Sequence, residues 1–199
     1  MKKIAPCFLI GALAFVATQA HAGIFNLTEF VDQGNWSLGL EPEVELTDTA
    51  GIAGMVKYTY GLSELSDLQV GIGTGTGTDR FRVSSAFTFD IIPDMKNQVG
   101  FGIAVQGEFL NNLNLGDALQ LQGIPYVHKS FTIKGTSTAD PFIALPIGMQ
   151  FYDGQYSTIA SLNVGSMFRP SENIAYTLEL GFNLKGEETT ISGGFTYYH

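Results

Sequence analysis

The mature chain lacks cysteine. The single cysteine of the 199-residue sequence is Cys7, in an N-terminal segment that combines the basic start MKK, the apolar run IAPCFLIGALAFVA and an Ala-x-Ala site in TQAHA. This is the pattern of a cleaved secretory signal, and we expect cleavage after Ala22. Cys7 lies well upstream of that point, so attachment of a lipid anchor is not expected. An exported chain of this size without disulfides must be held together by its core or by a membrane.

Positive charge is scarce as well. The sequence contains 10 Lys and Arg against 19 Asp and Glu, a net charge of −9. Removal of Lys2 and Lys3 with the signal leaves 8 basic residues and a net charge of −11. Such a chain would repel a nucleic-acid backbone, so we expect no nucleic-acid partner. The apolar run of the signal is also shorter than the roughly 20 residues of a spanning helix, which argues against a helical anchor.

The chain is rich in alternating segments. In NWSLGLEPEVEL, residues 35–46, Glu41, Glu43 and Glu45 alternate with large apolar side chains. Successive side chains of a strand point to opposite faces, whereas a helix would scatter these glutamates around its axis. Similar segments recur to the C-terminus, separated by turn signals about every 10 to 12 residues. We therefore predict an all-β protein of about ten strands, with eight as the fallback.

Three prolines lie inside the predicted strands. Pro42 falls in the first strand, and Pro125 and Pro146 fall in two less regular segments in the middle of the chain. Proline has no N–H to donate to a neighbouring strand, and it is found mainly on edge strands or at bulges. We therefore expect bulges or local irregularity at these positions.

Side-chain size predicts which face points inward. On one face of the predicted strands the side chains are mostly Phe, Tyr, Leu, Ile and Val, and we call this the apolar parity. On the other face, the polar parity, Gly, Ala, Ser and Thr dominate. A barrel of roughly 8 to 10 strands has an interior that its side chains fill, so small side chains belong inside. The bulky face then meets lipid, where a closed barrel leaves no unpaired edge. We predict a signal peptide at 1–22, a periplasmic segment at 23–34 and a transmembrane antiparallel up-and-down β-barrel at 35–199.

Aromatic residues concentrate near the predicted strand ends. With the N-terminus in the periplasm, one group falls near the periplasmic ends: Trp36, Tyr58, Tyr60, Phe87, Phe89, Phe101, Phe168, Tyr176 and Tyr197. A smaller group falls near the opposite ends: Phe109, Phe151 and Tyr156. Two aromatic girdles of this kind are expected of an outer-membrane barrel.

From Trp36 to His199 the chain resembles the small outer-membrane β-barrel proteins of Gram-negative bacteria, of the OmpA, OmpW and OmpX type. The resemblance rests on the strand pattern, on turn phrases such as YGLSELSDLQVGIG and on the terminal GGFTYY. It implies that the last strand is an assembly signal for the barrel-insertion machinery, matched by Gly193, Phe195 and Tyr197. His199 replaces the usual terminal Phe or Trp. The resemblance also implies the bacterial outer membrane as the location, with its lipid and lipopolysaccharide as partners.

The polar parity places charged groups inside the predicted barrel. The expected lumen network consists of Glu41, Glu43, Glu45, Lys57, Arg80, Arg82, Glu108 and Glu179. Carboxylates withdrawn from water are costly unless they are paired, so these groups should fill the lumen as a hydrogen-bonded network or hold water there. A filled lumen predicts a protein of envelope structure or surface interaction. A water-lined lumen predicts a narrow cation-preferring pore, and a soluble ligand-binding barrel is a further alternative.

One motif suggests a hydrolase. In YVHKSF, a strand would place Ser130 as nucleophile beside His128 as base, with Asp140 as a candidate orienting group. Barrel-type lipid A deacylases have a similar His-x-Ser, but Lys129 and Phe131 do not resemble their surrounding motif. We therefore expect no enzyme activity, with a lipid A-modifying hydrolase as an alternative. We expect neither a cofactor nor a metal site, because the histidines of the mature chain stand alone. The oligomeric state stays open.

Overall fold

The structure is a computed structural model that describes residues 30–46, 51–76, 79–112, 116–186 and 189–199, without the side chains of residues 79, 80 and 112. These residues form the strand segments β1 Trp36–Glu45, β2 Ile52–Ser63, β3 Ser66–Gly75, β4 Asp79–Ile92, β5 Gly100–Asn112, β6 Gly116–His128, β7 Phe131–Lys134, β8 Ser137–Ala144, β9 Ile147–Tyr152, β10 Gln155–Ser171, β11 Ile174–Lys185 and β12 Thr190–Tyr198. The expected signal peptide lies outside the described residues. Within them, no helix is long and apolar enough to cross a membrane.

Four of these segments are parts of two longer strands. β6 pairs with both β8 and β9, and the pairs Gly123↔Ile147 and Tyr126↔Ala144 keep one register across the break. The β7–β8 ladder continues that register beyond the end of β6. β6 and β7 therefore form one arm of a long hairpin, and β8 and β9 form the other. The barrel wall has ten strands, which confirms the predicted all-β up-and-down barrel.

The wall closes because the last strand pairs with the first. The sheet runs in the order β11-β12-β1-β2-β3-β4-β5-β6-β9-β10, and the β10–β11 pairing completes the circle. All neighbouring strands are antiparallel, and their number is even, so the chain enters β1 and leaves β12 at the same end of the barrel. We call this the terminal end; the turns at 64–65, 93–99, 135–136 and 172–173 also lie there.

The prolines do not shift the strand register. Pro146 lies in the break between β8 and β9, yet its carbonyl accepts a hydrogen bond from the Ser161 N–H at 3.1 Å. The Pro125 carbonyl likewise accepts from the Leu145 N–H at 2.9 Å. At Pro42 the register to both neighbouring strands is unchanged. Because regular pairs flank each proline, none of the three shifts the register. The local irregularity expected at Pro146 is present as the break between β8 and β9, whereas Pro42 and Pro125 lie inside continuous strands.

Burial alternates along the strands as the side-chain parity predicts. In β1 the three glutamates are buried, whereas Leu38 and Leu40 are exposed, and β2 and β3 continue the alternation. The exposed apolar side chains form a belt around the outer surface, with members on every part of the wall: Val56, Ile72, Val83, Val105, Leu121, Ile143 and Leu178.

Small residues do not fill the interior alone. Large apolar side chains are also buried: Met55, Leu110, Ile124, Tyr126, Phe142, Ile159 and Met167. Several of them lie against glycines, so that a Cβ at Gly102 would overlap the Tyr126 ring and a Cβ at Gly165 would meet the Phe142 ring. The expectation of a lumen lined mainly by small side chains is therefore wrong where these large residues lie, on β2, β5, β6, β8 and β10. Large and small residues share its cross-section instead.

Candidate functional site

The inner wall of the barrel is strongly acidic. Among the described residues, eight carboxylates are buried: Glu41, Glu43, Glu45, Asp67, Asp90, Glu108, Asp140 and Glu179. Lys57 and Arg82 are buried with them. Every residue of the predicted lumen network with a described side chain therefore lies inside the barrel. The side chain of Arg80 lies outside the described residues.

Two ion pairs connect charged groups on this wall. Lys57 Nζ lies 2.7 Å from Glu41 Oε2, and Arg82 Nε lies 2.7 Å from Glu108 Oε1. Gln106 Nε2 also donates to Glu108 Oε2 at 3.3 Å. All four charged side chains are at most 5% exposed, so both ion pairs are withdrawn from water. The strand pattern groups these residues on one face, but only the structure shows which of them pair.

Glu43 differs from Glu41. It is 1% exposed, and neither of its carboxylate oxygens has a hydrogen-bond partner among the described residues. Its neighbour in register on β12 is Ser192, which faces Glu179 on β11. Asn163 Nδ2 donates to Glu179 Oε1 at 2.5 Å. In the described part of the chain, no three His, Cys, Asp or Glu side chains converge as metal ligands.

A second polar cluster lies inside the barrel, towards the terminal end. The Tyr126 hydroxyl donates to Asp90 Oδ1 at 2.7 Å, and His128 Nε2 lies 3.1 Å from Asp90 Oδ2. Gly100 and Gly102 of β5 make room for these rings, because a Cβ at either position would overlap one of them. Asp90 is 36 and 38 positions from its partners, so spacing alone does not connect them. The pattern that could have found the cluster is GFG in β5 opposite YVH in β6.

The structure separates the candidate hydrolase residues. β6 ends at His128 and β7 begins three residues later, so the alternation that would place His128 beside Ser130 is interrupted. His128 is buried, whereas Ser130 is exposed. The carboxylate that contacts His128 is that of Asp90, while Asp140 accepts a hydrogen bond from the Thr138 hydroxyl at 3.1 Å. The described contacts therefore do not link the serine, the histidine and Asp140 in a catalytic chain.

The segment that precedes β1 enters the barrel mouth at the terminal end. Val31 is buried in a cluster whose other members are Met167, Ala175 and Tyr198. Its backbone N–H donates to the Asp67 carboxylate. The segment passes directly over Gly61, where a Cβ would overlap the carbonyl oxygens of Val31 and Asp32. The end of the predicted periplasmic segment 23–34 thus reaches into the barrel.

Aromatic rings cover the outside of the seam between β12, β1 and β2. The Trp36 ring stacks on His199 and on Tyr58, with centroid distances of 5.0 and 6.2 Å. It also contacts Tyr197 at 6.4 Å. The His199 N–H donates to the Trp36 carbonyl at 3.0 Å. The terminal histidine therefore packs as a ring against Trp36, in the place where the resembling family has Phe or Trp.

The other predicted girdle residues also face outward. Those exposed on the strands are Tyr58, Tyr60, Phe87, Phe89, Phe168 and Tyr176. Tyr176 contacts Phe195 of the last strand at a centroid distance of 5.7 Å. At the opposite end of the barrel, Phe109, Phe151 and Tyr156 line one shared groove.

A polar contact fastens the turn between β4 and β5 to the end of β6. Lys129 Nζ donates to the Asp94 carboxylate and to the Gln98 carbonyl, the latter at 3.0 Å, and the Ser130 N–H donates to Asp94 Oδ2 at 2.6 Å. Partial burial raises the pKa of Asp94, but these hydrogen bonds and the charge of Lys129 lower it by more. The net effect is a pKa below the usual 3.8.

Known structures resemble this chain in fold and not in sequence. No family model and no curated protein matches the sequence. An outer-membrane channel from Pseudomonas putida F1 superposes with a TM-score of 0.50 at 7% identity, over 90% of this chain and 100% of that chain. The N-terminal barrel of OprF from Pseudomonas aeruginosa gives 0.41 at 11% identity, over 84% and 98%. The KdgM porin gives 0.40 at 13%, over 80% and 98%. The chain has the fold of outer-membrane β-barrels.

Proposed function

We propose that this protein is a small outer-membrane barrel with an occluded lumen that serves envelope structure or surface interaction. The observation that supports this proposal is the set of charged and large apolar side chains buried inside the wall. The buried pairs Lys57–Glu41 and Arg82–Glu108 occupy the inner wall, and Val31 occupies the terminal mouth. A barrel of about ten strands has little volume left once such side chains are in place.

The outer surface supports the bacterial outer membrane as the location. An apolar belt on a closed wall suits hydrocarbon, because every backbone group of the wall pairs within the barrel. Lipid and lipopolysaccharide are then the surroundings of the belt. The barrel-assembly machinery is the proposed partner of the last strand, whose Phe195 and Tyr197 face outward. We propose no catalytic role.

Membrane fractionation tests this proposal. After expression in a Gram-negative host, the mature chain should sediment with the outer membrane and migrate faster on gels before heating than after it. The shift reports a folded barrel, since the closed wall survives detergent until it is heated. Recovery as a soluble periplasmic monomer would refute the membrane assignment.

A narrow cation-preferring pore is the second candidate. It is favoured by the excess of buried carboxylates over buried cations among the described residues. Carboxylates that line a pore attract cations and repel anions. Conductance of the purified protein distinguishes the two candidates, because an occluded lumen passes no steady current.

A further inference from the structure

Among the described residues, the lumen holds more buried carboxylates than buried cations. Eight carboxylates are buried there with Lys57 and Arg82, and Arg169 lies half-buried over the Tyr198 ring at 4.1 Å. A carboxylate taken out of water is costly unless a cation, a proton or hydrogen bonds compensate it. The structure locates one carboxylate with neither oxygen in a described hydrogen bond, that of Glu43.

Glu43 belongs to a group of oxygen-bearing side chains on adjacent strands. Glu43 on β1 pairs in register with Ser192 on β12, which pairs with Glu179 on β11. Directly opposed residues of antiparallel strands have Cβ atoms about 4.5 to 5.5 Å apart. All three side chains point into the lumen, since all are buried on the inner parity. They therefore stand side by side on the inner wall.

Asn163 on β10 extends this group. Its amide nitrogen donates to Glu179 Oε1 at 2.5 Å, and its Oδ1 is buried with no hydrogen-bond partner among the described residues. The Ser192 hydroxyl oxygen is also buried with no hydrogen-bond partner among the described residues. We call Glu43, Asn163, Glu179 and Ser192 the oxygen cluster. It presents both carboxylate oxygens of Glu43, an amide oxygen and a hydroxyl oxygen, each buried without a described donor.

We propose that the oxygen cluster binds a hard divalent cation, with Ca²⁺ as the best fit. Carboxylate, amide and hydroxyl oxygens are ligands of this kind of ion, and Ca²⁺ accepts six to eight of them in flexible geometry, waters included. Mg²⁺ fits less well, because it requires a near-ideal octahedron and gives up water reluctantly. The two carboxylates balance the charge of the ion. This site goes beyond the proposed function, since it neutralises the lumen whether or not the barrel conducts.

Calcium binding to the refolded mature chain tests the proposal, in detergent and without lipopolysaccharide. CaCl2 is titrated calorimetrically, and the midpoint of the heat-induced gel shift is compared in CaCl2, MgCl2, NaCl of equal ionic strength and EDTA. A ligand that binds only the folded state raises its stability. We expect CaCl2 to raise the midpoint of the wild type and of Glu64→Gln, which makes the same chemical change at an exposed turn. The CaCl2 shift should be lost in Glu43→Gln and reduced in Ser192→Ala.

The two cluster variants keep the test decisive. In EDTA, Glu43→Gln should be at least as stable as the wild type, because it removes a buried carboxylate that has no described hydrogen bond. If that variant does not fold, Ser192→Ala carries the comparison, since it deletes a single ligand oxygen. No calcium shift in the wild type, or an equal shift in both cluster variants, would overturn the proposal. A midpoint that rises only on acidification would also overturn it and assign the neutralisation of Glu43 to a proton.

Discussion

Replacement of Glu41 by Gln is expected to destabilise the barrel by about 3 to 5 kcal/mol. The Lys57 ammonium lies 2.7 Å from the Glu41 carboxylate, and the two side chains are 5% and 3% exposed. Loss of the carboxylate therefore leaves a buried ammonium without the negative charge that pairs with it. Lys57→Met leaves the converse defect, a buried carboxylate, and is expected to cost a similar amount.

The double variant Glu41→Gln/Lys57→Met should recover most of this loss. Replacement of a whole buried ion pair by neutral side chains is often close to neutral. A double-mutant cycle on urea unfolding in detergent isolates the coupling between the two residues. Glu64→Gln, at an exposed turn, is the control and should change stability by less than about 0.5 kcal/mol. Purely additive losses, with no coupling between Glu41 and Lys57, would refute this account of the pair.

Three further outcomes are expected. Gly61→Val should displace residues 30–34 from the terminal mouth, because a Cβ at Gly61 overlaps their backbone. The displaced segment should be cleaved faster by proteases. The control Gly54→Ala, in the same strand, places a Cβ no closer than 4.0 Å to any atom and should not change the cleavage rate. Deletion of Thr190–His199 exposes the edges of β1 and β11 to lipid and should abolish membrane insertion, whereas His199→Phe should insert normally. Heat-modifiable truncated protein in the membrane would contradict this. Asp94→Asn should lower stability at neutral pH. Because the pKa of Asp94 is lowered in the folded state, the wild-type advantage should disappear as the pH falls from about 4 through that lowered pKa; an advantage that persists in acid would contradict the assignment.

Side-chain alternation was sufficient to predict the barrel wall. A period of two residues leaves only two faces, so the glutamates of β1 and the leucines between them had to lie on opposite sides. Closure was predicted because bulky apolar side chains on one face need lipid and an uninterrupted wall. The strand number came from counting the alternating segments between the turns. Proline was a poorer guide, since the register at Pro125 is held by the regular pairs around it.

Pairing within the lumen could not be predicted in the same way. Parity places Glu41 and Glu43 on one face, but which of them meets Lys57 depends on register and on the reach of a flexible side chain. The Asp90 cluster combines residues of three strands: Asp90 of β4 contacts two rings of β6, which occupy the space left by two glycines of β5. The entry of Val31 into the mouth has no periodic signal at all, because a single short segment folds back over Gly61.

The conductance of the purified mature protein in a planar bilayer tests the occluded lumen most directly. With the ion pairs of Lys57 and Arg82 across the inner wall and Val31 in the terminal mouth, we predict no steady current above the lipid background. Heat-modifiable protein recovered from the same preparation shows that folded barrels were present. Steady, cation-selective channels from such protein would contradict the occluded lumen and favour the pore.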